Sequence, residues 1–369
     1  MILVNNPGDW NKVWSPLEHA EWNGCTAADL VFPFFLFLMG CVIPFSFDRR
    51  LKNGTPRNRL MAHIAWRGTA LIALKLLLSL YPFFHFTHLR FLGVLTRIAL
   101  CYMAVATLYL FIRKARILFC ISVVVLLAYW AILYALPIPG SGWPGYNFAF
   151  LDPQLNMVAW IDRHFAAWCQ KWLHSGVLYS KTSDPEGLLS TLPAIVTTLT
   201  GVLAGQLFKN RDIRPSVRAT VFMACGITCL VLGQIWGVYF PLNKSLWTSS
   251  FTVFTTGAAL CCLSICDTIF DIIQVQKRSH FFRFILDFFQ IFGMNAIFAF
   301  LFSGFLAKNF LQLPSPMGNH ASFLGWMYHT VRGGHPSTHI TSFLFSVVFL
   351  FIVFVPLYSL YRKQIFLKL

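Results

Sequence analysis

The stretch LEHAEWNGCTAADLVFPFFLFLMG, residues 17–40, changes character once along its length. Its first part holds His19, Glu21, Trp22, Asn23 and Gly24. After Asp29 it becomes an almost unbroken apolar run. A water-side loop that drops into a membrane helix at Thr26 has this pattern. Thr26 suits the N-cap, where a hydroxyl accepts from the first free backbone N–H groups. Asp29 then falls in the first turn, where the helix dipole favours an acid. A histidine, an amide and a carboxylate are thereby gathered at one membrane surface.

The rest of the chain repeats the apolar theme. Of 369 residues, 57% are hydrophobic and only 11% are charged, against about a quarter charged in soluble domains. Mean hydropathy is +0.64. These values predict an all-α, polytopic transmembrane helical bundle. Nine full spans are read at 26–47, 61–81, 91–112, 117–136, 188–208, 217–236, 246–269, 284–306 and 339–361. Residues 1–5 read as the tail of a truncated first helix. With no polar block for a second unit, residues 1–369 read as one domain. Two long outer loops, 137–187 and 307–338, interrupt it, the first with a surface helix at 154–173.

Charge sets the orientation. The short loops at one side carry Arg49, Arg50, Lys52, Arg57, Arg59, Arg113, Lys114, Arg116, Lys209, Arg211, Arg214, Arg218, Lys277, Arg278, Arg283, Arg362, Lys363 and Lys368. The other side has Lys12, Arg90, Arg163, Lys171, Lys181, Lys244, Lys308 and Arg332, spread over far more residues. The positive-inside rule then places the C-terminus in the cytoplasm and His19 outside it. A net charge of +16 would suggest nucleic acid for a soluble protein. Here its distribution points to the lipid bilayer instead, and no nucleic acid is expected. Most of the ten cysteines lie in apolar segments and read as small core residues. No metal site is expected. A Cys25–Cys169 bridge is the one disulfide the topology allows.

Several side chains could carry chemistry. The His19 imidazole can take a proton from an amine or accept an acyl group; it can equally be an idle interfacial histidine. Asp29 could fix the imidazole tautomer or simply cap its helix, and Asn23 could do either. Asn5 could hold a carbonyl oxygen or close a helix as its C-cap. Asp184 and Glu186, in Asp184-Pro-Glu-Gly187, open the segment at 188, where acids are expected on dipole grounds. Arg67, Lys75 and Arg97 lie inside apolar segments, where charge faces a cavity or an acid partner. Asp267, Asp271 and Asp287 are the candidate acids.

The motif His19-Ala-x-Trp22-Asn23-Gly24, with Ala28-Asp-Leu-Val-Phe-Pro33, resembles the heparan-alpha-glucosaminide N-acetyltransferase family and its bacterial relatives, often filed as membrane proteins of unknown function. The DPEG box, GVLTRIALCY around Arg97, PLNKSLWT around Asn243 and Lys244, and GMNAIFAF around Asn295 resemble further family boxes. The resemblance implies an integral membrane acetyltransferase, in a bacterial inner membrane. It would take acetyl from cytoplasmic acetyl-CoA, as co-substrate, and hand it to an amine of a glucosamine-type sugar on the outer side. His19 would be base or acetyl carrier, reached by a thioester arm through a tunnel. Asn5 would steady the thioester oxygen, with Asp29 orienting His19. Asn23, Asp184 and Glu186 would bind the amino sugar, and Arg67, Arg97, Asn243, Lys244 and Asn295 the coenzyme. A homodimer is an arrangement the resemblance allows. The chain departs from the family in a longer Asn5–His19 spacing and a shortened first helix, so an inactive truncated relative is one alternative. An amino-sugar transporter is the other, although no internal repeat of the kind transporters carry is visible.

Overall fold

Hydrocarbon offers no water to backbone N–H and C=O groups, so long apolar runs close their own hydrogen bonds as helices. The computed structural model describes residues 1–180, 182–316 and 322–367. Lys181, Lys368 and residues 317–321 of the second long loop lie outside the described residues. A short α1 (Ile2–Asn5) precedes α2 (Ala27–Lys52), α3 (Arg57–Leu80), α4 (Val94–Phe111) and α5 (Ala115–Ala135). Then come α6 (Met157–Leu173), α7 (Thr191–Lys209), α8 (Pro215–Tyr239) and α9 (Ser249–Cys266), the last prolonged by a π-helical turn at Asp267–Ile272. The chain ends with α10 (Val275–Arg278), α11 (His280–Met294), α12 (Ala296–Gln312), α13 (Phe323–Val331) and α14 (His339–Arg362). Among the described residues, eight helices are long and apolar enough to cross a membrane.

The expected ninth span, 284–306, is not one straight helix. It breaks at Asn295, where α11 and α12 meet at 78°. Asn295 has non-helical backbone angles, φ −126° and ψ 39°. Its side-chain amide donates to the Ile365 carbonyl at 3.2 Å and accepts from the Leu367 N–H at 2.9 Å. An asparagine that bonds to the backbone competes with the helix ladder, and here the returning C-terminal tail wins.

The helices alternate in direction, so the bundle has two ends. At the far end Asp48 receives Lys209, the Tyr109 hydroxyl at 3.1 Å and Arg113 at 4.0 Å. Arg218 grips Asp267 there with two bonds of 2.9 and 2.5 Å. The near end carries His19 and the loop 137–187. In that loop α6 forms as expected, its first turn capped by Asn156, which accepts from Ala159 N at 2.8 Å. The second long loop holds a helix the sequence reading passed over, α13, begun by Ser322.

The centre of the bundle is the crossing of α2 and α7. A Cβ on Gly201 would stand 2.0 Å from the Phe37 carbonyl oxygen, and one on Gly205 would stand 2.3 Å from that of Cys41. Only glycine permits this approach, and the spacing Gly201-x-x-x-Gly205 is the small-residue pattern that brings membrane helices close. Around it Phe32, Leu36, Ile98, Trp247 and Phe251 fill one buried layer, and Ile43, Phe47, Tyr102 and Leu199 another. All ten cysteines are free thiols, so Cys25 and Cys169 are not bridged.

Candidate active site

Thr26 is the N-cap of α2 and forms a capping box with Asp29. Its hydroxyl also donates to the Glu18 carbonyl at 2.7 Å, which ties the preceding loop to the helix start. One oxygen of Asp29 accepts from the backbone N–H groups of Thr26 and Ala20, each at 3.1 Å. The other faces His19 Nδ1 at 2.8 Å and Lys244 Nζ at 3.1 Å. The carboxylate is thus a buried hub for four donors. The His19 side chain is 44% exposed while that of Asp29 is 1% exposed. Asp29 fixes Nδ1–H as the donor, leaving Nε2 with its lone pair. Lys244 flanks the ring, its amine 3.0 Å from Nδ1 and 3.4 Å from Nε2.

Lys244 is placed by the turn before α9. Asn243 accepts from Leu246 N at 2.9 Å and donates to the Asn23 side chain at 3.2 Å. The Gly24 N–H donates to the Leu242 carbonyl at 2.7 Å. The two motifs therefore clasp each other, although they are 220 residues apart. The neighbouring Cys25 thiol is pushed up to about 12 by burial and by the Asp29 charge, so at neutral pH it is no thiolate.

A second polar cluster lies at the same end. Arg90 donates to both Asp184 oxygens, at 2.7 and 2.6 Å, and to Glu186 at 2.5 Å. Burial works against the Arg90 charge, but the two acids outweigh it and raise its pKa. Asp184 also accepts from the backbone N–H groups of Tyr179 and Glu186. Arg97, fully enclosed, donates to the Gly187 carbonyl at 3.1 Å and to the Ser190 hydroxyl. The DPEG turn is therefore pinned from two sides by arginines.

Two residues that the sequence reading did not single out join these clusters. Trp247 takes a left-handed backbone, φ 50°, which is rare for a bulky side chain. It is held by Thr197, which accepts from its indole N–H at 3.1 Å, by Phe32 edge-on at 5.2 Å, and by Arg97, 5.1 Å above its ring. Three residues beyond Lys244, it links the His19 cluster to the DPEG turn. Asp162, on α6, accepts from Leu188 N at 3.0 Å and leaves its other oxygen buried against Gly187 without a partner among the described residues. An acid inside the otherwise apolar-faced 154–173 helix was the available signal. Burial and the nearby Asp184 charge push its carboxyl up to about 7.

That shift carries a pH dependence. The unfolded chain loses the Asp162 proton near pH 4, the folded chain near pH 7, so the folded state holds more protons in between. Stability supplied by this group therefore falls as pH rises from about 4 to 7 and levels off above. Thermal unfolding of the detergent-purified protein across that window should show the slope, and Asp162→Asn should flatten it.

The remaining candidates stand elsewhere. Asn5 is exposed at the end of α1, packed beside α14, and its side chain makes no hydrogen bond. Arg67 lies under α4 with its guanidinium 4.7 Å from the Tyr102 ring centre. Asn295 is spent on the C-terminal tail. At the far end a cavity of about 600 Å³ is lined by Asp48, Lys52, Tyr109, Arg113, Gln206 and Lys209. Along α2, between this cavity and Asp29, Phe32, Leu36, Phe37, Ile43 and Phe47 are all buried.

No family model matches the chain. It is 30% identical over 326 residues to human heparan-alpha-glucosaminide N-acetyltransferase, and 29% identical over 327 residues to the mouse protein of the same name. The alignments cover 76% of this chain but 48% and 49% of the two relatives. The chain thus spans about half the length of the curated relatives it matches. Over three quarters of its length the chain is thus similar to the heparan-alpha-glucosaminide N-acetyltransferases.

Proposed function

We propose that the protein transfers an acetyl group from acetyl-CoA to the amine of a glucosamine-type sugar at the His19 end of the bundle, on the extracytoplasmic side. The observation that carries the reading is the His19–Asp29–Lys244 cluster: a half-exposed imidazole, oriented through Nδ1 by a buried carboxylate. Its free Nε2 takes the proton from the sugar amine as that amine attacks the thioester carbonyl. The carbon–sulfur bond then breaks, and coenzyme A leaves as a thiol once it regains that proton. In the two-step version Nε2 attacks the carbonyl itself, the carbon–sulfur bond breaks and coenzyme A leaves as thiolate; the sugar amine then attacks the acetyl-imidazole, the bond to Nε2 breaks, and the amine's proton goes to the thiolate. The relatives' name, an N-acetyltransferase of a glucosaminide, supports the amine acceptor.

The clasp between Asn23 and Asn243 and the arginine-pinned DPEG turn flank this end, where sugar hydroxyls would be recognised. One feature favours a transporter instead: the broken helix at Asn295, since transporters build their sites from interrupted spans. Labelled acetyl-CoA and glucosamine, added to the detergent-purified protein, should yield labelled N-acetylglucosamine. Uptake of the sugar into proteoliposomes without acetylation would replace this reading with transport.

A further inference from the structure

The break at Asn295 turns α11 almost at right angles to α12, and the surface of α11 divides accordingly. His280, Arg283, Asp287 and Gln290 recur at helical spacing and form one exposed polar stripe. Beside this stripe Ile291 is buried, and Phe288 stacks on Phe354 of α14 at 5.2 Å. Away from the stripe's axis Phe281, Phe284 and Phe289 are left exposed. A cavity of about 480 Å³ opens at the N-terminal end of α11, lined by Lys277, Arg278, His280, Arg283 and Asp287. Among the described residues, no ion pair engages Lys277, Arg278 or Arg283. Phenylalanines that flank a polar stripe, beside a cationic hollow, are the layout of a helix lying in a membrane interface. The hollow lies on the side carrying the other basic loops, where anionic headgroups attract cations.

We infer that α11 lies along the bilayer surface at the far end and seats the phosphate of an anionic phospholipid between Lys277, Arg278 and Arg283. The lipid's chains run over Phe281 and Phe284. Each cation near an anionic surface is worth roughly fivefold in affinity, so removing all three should weaken the seat on the order of a hundredfold. The protein, purified in uncharged detergent, is titrated with short-chain phosphatidylglycerol, phosphatidylcholine or inorganic phosphate, and thermal unfolding and native mass spectrometry are read. Phosphatidylglycerol should raise the melting temperature saturably and stay bound, phosphatidylcholine and free phosphate should not. Lys277→Ala/Arg278→Ala/Arg283→Ala should lose the effect, while Lys114→Ala/Arg116→Ala, at another basic loop, should keep it. Should the triple variant not fold, Arg283→Gln alone should weaken the lipid about fivefold. Equal shifts with both lipids, or a shift unaltered in the charge variants, would overturn the assignment. None of this depends on the acetyl-transfer reading.

Discussion

His19→Ala should lose acetyl transfer by roughly 10²–10⁴-fold, the usual contribution of a positioned acid–base group, while melting close to the parent temperature. The imidazole is half exposed and makes few packing contacts, so its removal spares the fold. Asp29→Ala should behave differently. It deprives His19, Lys244 and the N–H groups of Ala20 and Thr26 of one shared acceptor. Activity and melting temperature should then fall together. Lys244→Met separates the parts again: the ring keeps its carboxylate but loses the adjacent cation, so a smaller loss than in His19→Ala is expected. Radiolabel transfer and melting curves on the same preparations check all three. Transfer that survives His19→Ala would remove the imidazole from the reaction.

Arg90→Ala should be the most destabilising single change at the His19 end of the bundle, by about 3–5 kcal/mol, the range for stripping one partner from a buried ion pair. Asp184 is almost fully enclosed and would keep its charge with no guanidinium against it. Arg90→Lys should fall between, since an ammonium cannot reproduce the two-pronged bond to Asp184 together with the bond to Glu186. Chemical denaturation in detergent, followed by a probe on the 137–187 loop, would measure both. A loss under 1 kcal/mol for Arg90→Ala would mean that backbone donors alone hold the DPEG turn.

Much of the fold was legible because hydrocarbon imposes one rule on every span. Run lengths and loop charges placed eight straight helices, and Thr26 and Asn156 mark helix starts where hydroxyl and amide caps belong. The stretch 284–306 was read as a span, but its bend was not legible: an asparagine inside it bonds to a tail seventy residues later, which no local pattern contains. The site divides the same way. His19 and Asp29 are ten residues apart, and a capped helix start predicts their meeting. Lys244 reaches them from 225 residues away, so its motif was visible but its partner was not. Asp162 and Trp247 were missed because their significance lies in burial and backbone geometry, which residue type alone does not disclose.

The glycine crossing of α2 with α7 has a dynamic consequence. Backbone laid directly on backbone leaves no side chain to slide or repack, so these two helices must move as one stiff beam. Asp29 rides on one and the pinned turn before Thr191 opens the other. Any rearrangement that admits a bulky donor therefore falls to the looser elements around the beam, with the hinge at Asn295 the natural place for it to begin.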